Sequence, residues 1–373
     1  MTVLTHIDSA VADHYLALVA DGDEHGAATV VGALLDDGVP PQRVIVDLIG
    51  ATQTRVGELW AANEWSVARE HAATAAGERA LAALAARTPA PSASPPFDSA
   101  TGPSNSAGRR PASPGAAPPY RGRIALACVD GEWHGLPARM LAELLRLDGW
   151  RVDYLGASVP GRHLITHLHQ TGPDAVALSC MIPTRLPRAH AAITACRAAG
   201  IPVIAGGRGF GPDGRWAERL GAHAWAATGE DAVTRLSTDW PPPYVADLLF
   251  SPGEPTPGDE EYTYLTRRRP ELITTAMQRL AAAYPAAHRY DQAQAESTAE
   301  DLGHVIDFLA AALYVGEPAI FLDFTQWTTD VLRARNVPPN ALRTGLHLIR
   351  DQLADFPSSV ALLNRSLSEM PQT

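Results

Sequence analysis

The chain is 373 residues long, enough for two or three domains, and its hydrophobic fraction of 46% is ample for packed cores. Its formal net charge of -11 argues against direct binding of nucleic acid, which needs a basic face. It contains no apolar run long enough to span a membrane and begins without the features of a signal peptide. The sequence therefore predicts a cytoplasmic protein.

The first predicted domain, residues 1–87, is a four-helix bundle. Apolar residues recur at helical spacing in stretches joined by short loops, and such stretches pack as neighbouring helices. Pro40 and Pro41 open the third stretch, and Ser66 caps the fourth. The predicted helices cover residues 10–19, 24–35, 42–63 and 67–86.

A segment rich in Pro, Ala, Ser and Gly follows at residues 88–120 and is predicted to be a disordered linker. In residues 121–240, short apolar runs alternate with helical stretches, which indicates a doubly wound parallel sheet in a Rossmann-like α/β domain. The predicted strands are 123–129, 151–155, 175–179, 202–205 and 224–227.

The last predicted domain, residues 261–373, follows a second linker at residues 241–260. Long helical stretches with short connections predict an all-helical domain, either globin-like or a bundle, of the kind that serves as a sensor. Its clearest helices are 272–284, 292–315, 318–335 and 339–355.

An acid and a histidine stand on the loop after the first predicted strand of the α/β domain. Glu132 and His134 follow the apolar run 124–129, and a helical pattern begins directly after them. This loop lies at the carboxyl edge of the sheet, where α/β folds bind ligands. A neutral imidazole there can ligate a metal, and the acid can hold its other ring nitrogen. Taken alone, the pair also fits an ordinary loop histidine.

Two later signals extend this pattern. The third predicted strand ends in Ser179, and the fourth is followed by the pair Gly206 and Gly207. The order of acid-x-His, then Ser, then paired glycines resembles the cobalamin-binding domain of methionine synthase, methylmalonyl-CoA mutase and corrinoid proteins. The resemblance covers roughly residues 121–236.

The resemblance implies a role for each of these residues. In that family a histidine replaces the cofactor's own base as the lower axial ligand of cobalt, which makes His134 the metal ligand here. Glu132 and Ser179 would form its hydrogen-bonding relay. Ser179, Gly206 and Gly207 would line the slot for the displaced nucleotide tail, because a bare backbone lets the tail pass close by.

The loop departs from the family pattern at two positions. Glu132 stands where the family has Asp, and Pro137 stands where the final Gly is usual. Proline suits the first turn of a helix. Gly135, directly after the expected ligand, belongs to the same cofactor-binding loop.

A second motif joins the third and fourth predicted helices of the bundle. Trp60 closes the third helix, and nine residues separate it from Glu70 and His71, which open the fourth. By themselves, Trp60 is a core anchor and Glu70 a first-turn acid that favours the helix dipole. The spacing also resembles the signature of CarH-type photoreceptors, which bind adenosylcobalamin between a four-helix bundle and a cobalamin domain. The resemblance implies that Trp60 covers the adenosyl group, with Glu70 and His71 beside it.

This chain differs from the CarH-type proteins in two ways. No DNA-binding winged helix precedes the bundle, so transcriptional control by this chain alone is not expected. Ala61 follows Trp60, where that family has a histidine that captures cobalt after photolysis. His71, another group or water would have to take that position.

The C-terminal domain, joined to such a core, resembles that of the photocobilins, in which a cobalamin module is linked to a domain that binds the linear tetrapyrrole biliverdin. The resemblance implies a non-covalent site, because no cysteine lies beyond Cys196. The expected aromatic walls are Phe308, Tyr314, Phe324 and Trp327. The arginines that could pair with the propionates are Arg267, Arg268, Arg269, Arg333, Arg335 and Arg343. The histidines that could donate to the ring carbonyls are His304 and His347. A protein-interaction or dimerisation domain and a haem site are the alternatives.

The function favoured by the sequence is a photoreceptor rather than an enzyme. Its expected cofactors are adenosylcobalamin and biliverdin, and it would signal as a homo-oligomer or through a downstream protein. A corrinoid methyl carrier of a methyltransferase system and a dark cobalamin sensor are the alternatives. A mutase would need a catalytic barrel of about 250 residues, which no segment supplies.

Overall fold

The computed structural model describes residues 7–88, 120–238, 240–241 and 259–370. The predicted fold class is confirmed: a helical bundle, a doubly wound parallel sheet and an all-helical C-terminal part follow one another along the chain. The linkers predicted at 88–120 and 241–260 lie outside the described residues except at their ends. No helix within the described ranges has the length and apolarity to cross a membrane.

The N-terminal bundle contains the four predicted helical stretches. These are α1 (Ser9–Ala20), α2 (Glu24–Asp36), a third stretch built from α3 (Pro41–Arg43), a π-helical segment (Val44–Gly50) and α4 (Ala51–Ala61), and then α5 (Val67–Arg87). The third stretch therefore runs without a break but widens in its middle. It ends because Asn63 adopts a left-handed conformation, with φ of 61°, which few residues other than Gly and Asn accept. The core is formed by Tyr15, Val19, Val31, Val44, Leu48, Ile49, Leu81 and Leu84.

The central domain is a sheet of five parallel strands in the order β2-β1-β3-β4-β5. The strands are β1 (Arg123–Cys128), β2 (Arg151–Gly156), β3 (Ala175–Ser179), β4 (Val203–Gly206) and β5 (Ala224–Ala226). β1 and β3 are buried almost throughout, as expected for strands covered by helices on both faces. The covering helices are α6 (Gly135–Leu147), α7 (Gly161–Thr171), α8 (Leu186–Ala198), α9 (Arg215–Arg219) and α10 (Gly229–Thr238).

The C-terminal domain consists of helices over residues 259–370. They are α11 (Asp259–Ala283), α12 (Gln292–Val315), α13 (Ala319–Ala334), α14 (Asn340–Arg350) and α15 (Pro357–Glu369). The structure differs from the sequence prediction in two respects here. α11 begins at Asp259 rather than at 272, because the helix continues through Pro270, and α15 was not predicted. The buried Glu261 explains the docking of α15, since its carboxylate accepts hydrogen bonds from the first-turn amides of Ser358 and Ser359.

The two helical domains pack on opposite faces of the sheet domain. Leu136 and Leu144 of α6 belong to the core of the bundle, so the bundle covers α6. On the other face, α12 contacts α8, and the apolar residues of both share one continuous core with the sheet. His190 of α8 and Tyr314 of α12 join these helices through a hydrogen bond of 2.8 Å. The carboxyl edge of the sheet lies between the two helical domains.

Candidate functional site

The strand order places a ligand crevice between β1 and β3. After β1 the chain turns to one face of the sheet, and after β3 it turns to the other, so the loops diverge at this point. His134 stands on the loop after β1, immediately before α6. Its side chain is 56% exposed, so part of its imidazole faces the open crevice. The structure thus places His134 where the sequence predicts it.

Glu132 fixes the orientation of His134 through hydrogen bonds. Its oxygen Oε1 lies 2.6 Å from Nδ1 of His134 and also accepts a hydrogen bond from the backbone N–H of His134 at 3.0 Å. The other oxygen, Oε2, accepts hydrogen bonds from the amides of Met181 and Ile182 at 2.7 and 3.1 Å. Glu132 therefore links the loop after β1 to the loop after β3, and it leaves Nε2 of His134 as the nitrogen available to a ligand.

The electrostatics of the pair follow from these contacts. Burial by itself would raise the pKa of Glu132, but the hydrogen bonds from His134 and Met181 outweigh burial and hold this pKa below its usual range. The hydrogen bond to Glu132 raises the pKa of His134, burial opposes this increase, and the charges of Glu132 and Glu70 add to it. The carboxylate of Glu70 is thus close enough to His134 to act on its charge.

The relay predicted through Ser179 is not what the structure shows. The hydroxyl of Ser179 interacts with the thiol of Cys128, while Glu132 accepts hydrogen bonds from two backbone amides beyond Ser179. The sequence missed these two partners because any residue supplies a backbone amide. Burial raises the pKa of Cys128 to about 12, so this thiol stays neutral.

The glycines near the crevice differ in what they require. Gly207 has φ of 102°, and a Cβ there would lie 2.3 Å from the carbonyl oxygen of Cys180, so the protein itself demands glycine. A Cβ on Gly206 would meet the Ala226 carbonyl at 3.5 Å, an ordinary contact. Gly135 begins α6, and its carbonyl accepts a hydrogen bond from the Tyr154 hydroxyl at 3.0 Å. Gly206 is therefore the one whose glycine the protein's own contacts do not require.

The bundle carries the second motif, Trp60, Glu70 and His71. Trp60 lies in the last turn of α4, Glu70 ends the first turn of α5, and His71 follows it. Oε2 of Glu70 lies 2.6 Å from Nδ1 of His71, and Oε1 of Glu70 accepts a hydrogen bond from the Thr74 hydroxyl at 3.1 Å. The pair of Glu70 and His71 thus repeats the acid-to-Nδ1 contact of Glu132 and His134.

Exposed apolar side chains lie next to residues of both motifs. Within the described ranges, the large apolar side chains left exposed are Trp133 at 75%, Val67 at 54% and Trp327 at 47%. Trp133 precedes His134, Val67 lies one turn before Glu70, and Trp327 packs on Trp60. Apolar side chains that stay exposed beside polar groups are typical of ligand sites. The sequence missed Trp133 because exposure cannot be read from a single position on a loop.

The aromatic cluster predicted for biliverdin is not one cluster. Phe308 and Phe324 stack on each other with ring centroids 3.9 Å apart. Tyr314 instead contacts His190 of the sheet domain, and Trp327 lies 6.1 Å from Trp60, centroid to centroid. Tyr314 lies six positions after Phe308 on α12, which turns the two side chains to different sides of the helix.

The predicted cations of that pocket are also engaged elsewhere. Arg268, Arg269 and Arg333 pair with carboxylates, Arg335 binds carbonyls of the bundle, and Arg343 binds carbonyls at the end of α15. His347 lies on α14 near Arg350, and burial lowers its pKa. His304 is exposed and lies near Asp301, which also interacts with Arg335. These residues therefore do not converge on one pocket in this structure.

The residues at the crevice fit a corrinoid better than a simple metal ion. The described residues contain no group of His, Cys, Asp and Glu side chains that could hold a bare ion, so His134 would be a single protein ligand to a metal already held by a larger cofactor. The buried Nε of Arg185, whose charge lowers the pKa of His134, has no partner in the described residues. A polar ligand in the crevice would satisfy it.

Two family models match the chain, and both are described as a B12 binding domain. One covers residues 122–237, which include the sheet domain, and the other covers residues 11–85, which include the bundle. The chain thus carries two B12-binding domains in succession and is a cobalamin-binding protein.

Curated relatives fall into two groups. The HTH-type transcriptional repressor CarA of Myxococcus xanthus is 39% identical over 102 residues, which are 26% of this chain and 33% of CarA. Dimethylamine corrinoid protein 3 of Methanosarcina mazei is 27% identical over 125 residues, covering 32% of this chain and 74% of that protein. A corrinoid protein of Desulfitobacterium hafniense is 25% identical over 118 residues, covering 30% of this chain and 53% of that protein. The chain spans only part of each relative.

Among solved structures, the monomethylamine corrinoid protein of Methanosarcina barkeri is similar to this chain with a TM-score of 0.47 and 14% sequence identity. The similarity covers 61% of this chain and 97% of that protein.

Replacing Glu132 with Gln should lower the pKa of His134. The neutral amide removes the ionised acceptor at Nδ1 and brings N–H donors towards the amides of Met181 and Ile182. We expect the free energy of unfolding to fall by about 1–3 kcal/mol, because at least one buried donor loses its acceptor. An NMR titration of the imidazole in the cofactor-free protein measures the pKa, and chemical unfolding measures the stability.

Glu70→Gln is the matched control for this substitution, because the charge of Glu70 acts on His134 less strongly than that of Glu132. It should lower the pKa of His134 by a smaller amount. An equal or larger effect of Glu70→Gln would show that Glu132 does not dominate the electrostatics of the histidine.

Proposed function

We propose that this protein is a light sensor that binds adenosylcobalamin in the cleft between the bundle and the sheet domain. The observation that carries the proposal is the packing of the bundle on α6, the helix that begins directly after His134. Glu70, from the motif with Trp60 and His71, lies within electrostatic reach of His134 on the carboxyl edge of the sheet. A cofactor coordinated by His134 on one side would meet the bundle residues on its other side.

His134 is the proposed lower ligand of cobalt. Binding through Nε2 requires the neutral imidazole with its proton on Nδ1, and Glu132 holds that proton at 2.6 Å. The carboxylate is itself fixed by two backbone amides, so the ring cannot turn without breaking buried hydrogen bonds. His134 is therefore oriented before any cofactor arrives.

Trp60, Glu70 and His71 are the proposed wall of the opposite side. Trp60 offers a flat apolar face to an adenosyl group, and Glu70 can accept hydrogen bonds from its hydroxyls. Bound adenosylcobalamin supplies a cobalt–carbon bond that light can break. Loss of the upper group would leave Trp60 and Glu70 against a different surface, so the bundle would have two states with different contacts to the sheet domain.

Ala61 distinguishes this protein from the CarH-type proteins, which have a histidine at that position, because the methyl side chain of alanine cannot bind cobalt. The nearest imidazole of the motif is that of His71, which is exposed and held through Nδ1 by Glu70. Like His134, it keeps Nε2 available. We include His71 in the site for this reason.

A corrinoid methyl carrier is the second candidate, and the similarity to methylamine corrinoid proteins favours it. A carrier works on a methyl group and gains nothing from a wall of Trp60 and Glu70 shaped for a larger group. A dark cobalamin sensor would bind the cofactor and keep its spectrum and assembly unchanged in light. The response of the loaded protein to light therefore separates the three functions.

A second chromophore, biliverdin, is proposed for the C-terminal domain. The observation that supports it is proximity, since this domain contacts the bundle at Trp60 and the sheet domain at His190. A pigment bound there would lie near the cobalamin cleft, as coupling between the two chromophores requires. The residues predicted for the pocket are dispersed, so the site would have to form between α12, α13 and the neighbouring domains.

The full chain loaded with adenosylcobalamin in the dark should change its absorption spectrum and its hydrodynamic size under green light. His134→Ala should shift the dark spectrum and weaken cobalamin binding, because the lower ligand is lost. Substitution of the exposed His163 on α7 with Ala is the matched control and should change neither. A spectrum and affinity unaffected by His134→Ala would refute the ligand assignment, and a light-stable spectrum of the parent would refute the sensor.

Trp60→Ala should weaken the binding of adenosylcobalamin or alter its photoresponse while leaving methylcobalamin binding largely intact. The physical reason is that the indole is proposed to contact only the larger upper group. Affinities for both cobalamins, measured in the dark by absorption titration, give the comparison. Equal behaviour of the variant and the parent with both cofactors would make Trp60 a core residue only.

Biliverdin added to the cofactor-free protein should give a sharpened, red-shifted band, because a pocket restricts the flexible tetrapyrrole. Acid denaturation should release the pigment, since the C-terminal domain contains no cysteine. A spectrum identical to that of free biliverdin would favour an interaction domain instead.

A further inference from the structure

Two helix ends from different domains meet beside Trp60. α4 of the bundle ends at Ala61, and α13 of the C-terminal domain ends at Ala334. The residues that follow each helix end hydrogen-bond to the last carbonyls of the other helix. Arg335 donates hydrogen bonds to the carbonyls of Trp60 and Ala61 at 3.2 and 3.4 Å, and Asn63 donates one to the carbonyl of Ala334 at 3.5 Å. Each helix is therefore capped from the other domain.

The charge of Arg335 explains why two such ends can approach each other. A helix carries a partial negative charge at its C-terminus, so two C-termini repel. The guanidinium of Arg335 also binds the carbonyl of Val331, on its own helix α13, at 3.2 Å. One cation thus lies between the carbonyls of both helices and offsets the repulsion. Its several N–H groups make this possible, whereas an ammonium group is a single point charge.

The same guanidinium and Trp327 enclose the side chain of Trp60. The Cζ atom of Arg335 lies 5.1 Å from the centroid of the Trp60 ring, within the range of a cation–π interaction. Trp327 lies 6.1 Å from the same ring, with the planes tilted by 30°. Trp60 is half-buried and Trp327 is 47% exposed, so these rings keep surface open to a ligand.

We propose that Arg335 and Trp327 are positioning residues for Trp60, and that through them the C-terminal domain forms part of the wall of the cobalamin site. Arg335 fixes the backbone of the last turn of α4, and Trp327 limits the orientation of the indole. The part of the proposal that concerns cobalamin rests on the proposed function above. The part that concerns α4 does not, because the contacts exist in the protein alone.

This arrangement links cofactor and domain position in both directions. If docking of the C-terminal domain holds Trp60 in the orientation that suits one upper group, then that group favours docking by the same factor. A change of the upper group therefore alters how firmly α13 is held against α4. The signal leaves the cobalamin site through Arg335 without any need for a second ligand.

The first arm of the test uses the full-length protein without cofactor. Hydrogen exchange is followed in the backbone amides of residues 56–64, which cover the end of α4 and the loop after it. Arg335→Gln should raise their exchange roughly tenfold, since it removes charged hydrogen bonds at the helix end. Arg335→Lys, which keeps the charge and loses the fork, should recover part of the protection. Arg365→Gln in the exposed ion pair with Glu369 is the matched control and should leave these amides unchanged.

The second arm compares adenosylcobalamin with methylcobalamin. Arg335→Gln and Trp327→Ala should each reduce the ratio of the two affinities about threefold to tenfold, by acting on Trp60 rather than on His134. A contact that only joins the domains would change both affinities equally or neither. An unchanged ratio in both variants, in a parent protein that binds both cobalamins, overturns the proposal.

The two arms separate this inference from the proposed function. A parent that binds neither cobalamin refutes the proposed function and with it the cobalamin part of the inference, while the exchange arm still decides whether Arg335 holds α4. Exchange in Arg335→Gln equal to the parent overturns the contact itself. Should Arg335→Gln fail to fold, Arg335→Lys and the partly exposed Trp327→Ala carry both arms, and parent-like exchange and affinity ratio in both variants overturn the proposal.

Discussion

The carboxylate of Glu132 is the group on which the candidate site depends. It is 1% exposed, and a buried charge of this kind is costly unless every oxygen is hydrogen-bonded. Its oxygens meet the ring and amide of His134 and the amides of Met181 and Ile182. The same hydrogen bonds that make the burial of this charge tolerable also join the loops after β1 and β3, and they hold Nδ1 of His134 so that Nε2 stays available. A substitution that disturbs the orientation of His134 would therefore also disturb the packing of the loops at the carboxyl edge.

The architecture places two helical domains around this edge. The bundle packs on α6, directly after His134, and the C-terminal domain packs on α8, on the other face of the sheet. They meet again where Arg335 and Trp327 contact the end of α4. A ligand held by His134 would thus lie among the bundle, the sheet domain and the C-terminal domain, and its shape would affect the contacts of all three. The free energies in such contacts are small enough to be shifted by a ligand.

Local features of this fold could be predicted from the sequence, and long-range ones could not. Ser66 as a cap and the loop carrying His134 are set by neighbouring residues, and the structure has them where expected. The contact between Arg335 and Trp60 joins residues far apart in the chain, and no sequence pattern in either helix predicts it. The sequence instead suggested that Arg335 pairs with a propionate.

Two errors show the physical limits more closely. Phe308 and Tyr314 share the helix α12, and sequence proximity suggested one pocket, but the helical rotation between them turns Tyr314 towards the sheet domain. The predicted stretch 272–284 began too late, because α11 starts at Asp259 and passes through Pro270. Both the rotation along α12 and the continuation of α11 through Pro270 are properties of the folded backbone that the residue types alone did not reveal.

Electron paramagnetic resonance of the protein loaded with cobalamin in its paramagnetic cobalt(II) state tests the central claim most directly. A nitrogen ligand splits each cobalt line, and the splitting depends on the nitrogen isotope. If His134 is the lower ligand, labelling the histidines of the protein with the heavy nitrogen isotope should convert each triplet into a doublet, and His134→Ala should abolish this response. A pattern that ignores histidine labelling would mean that the cofactor keeps its own base or binds no protein nitrogen, and it would contradict the account.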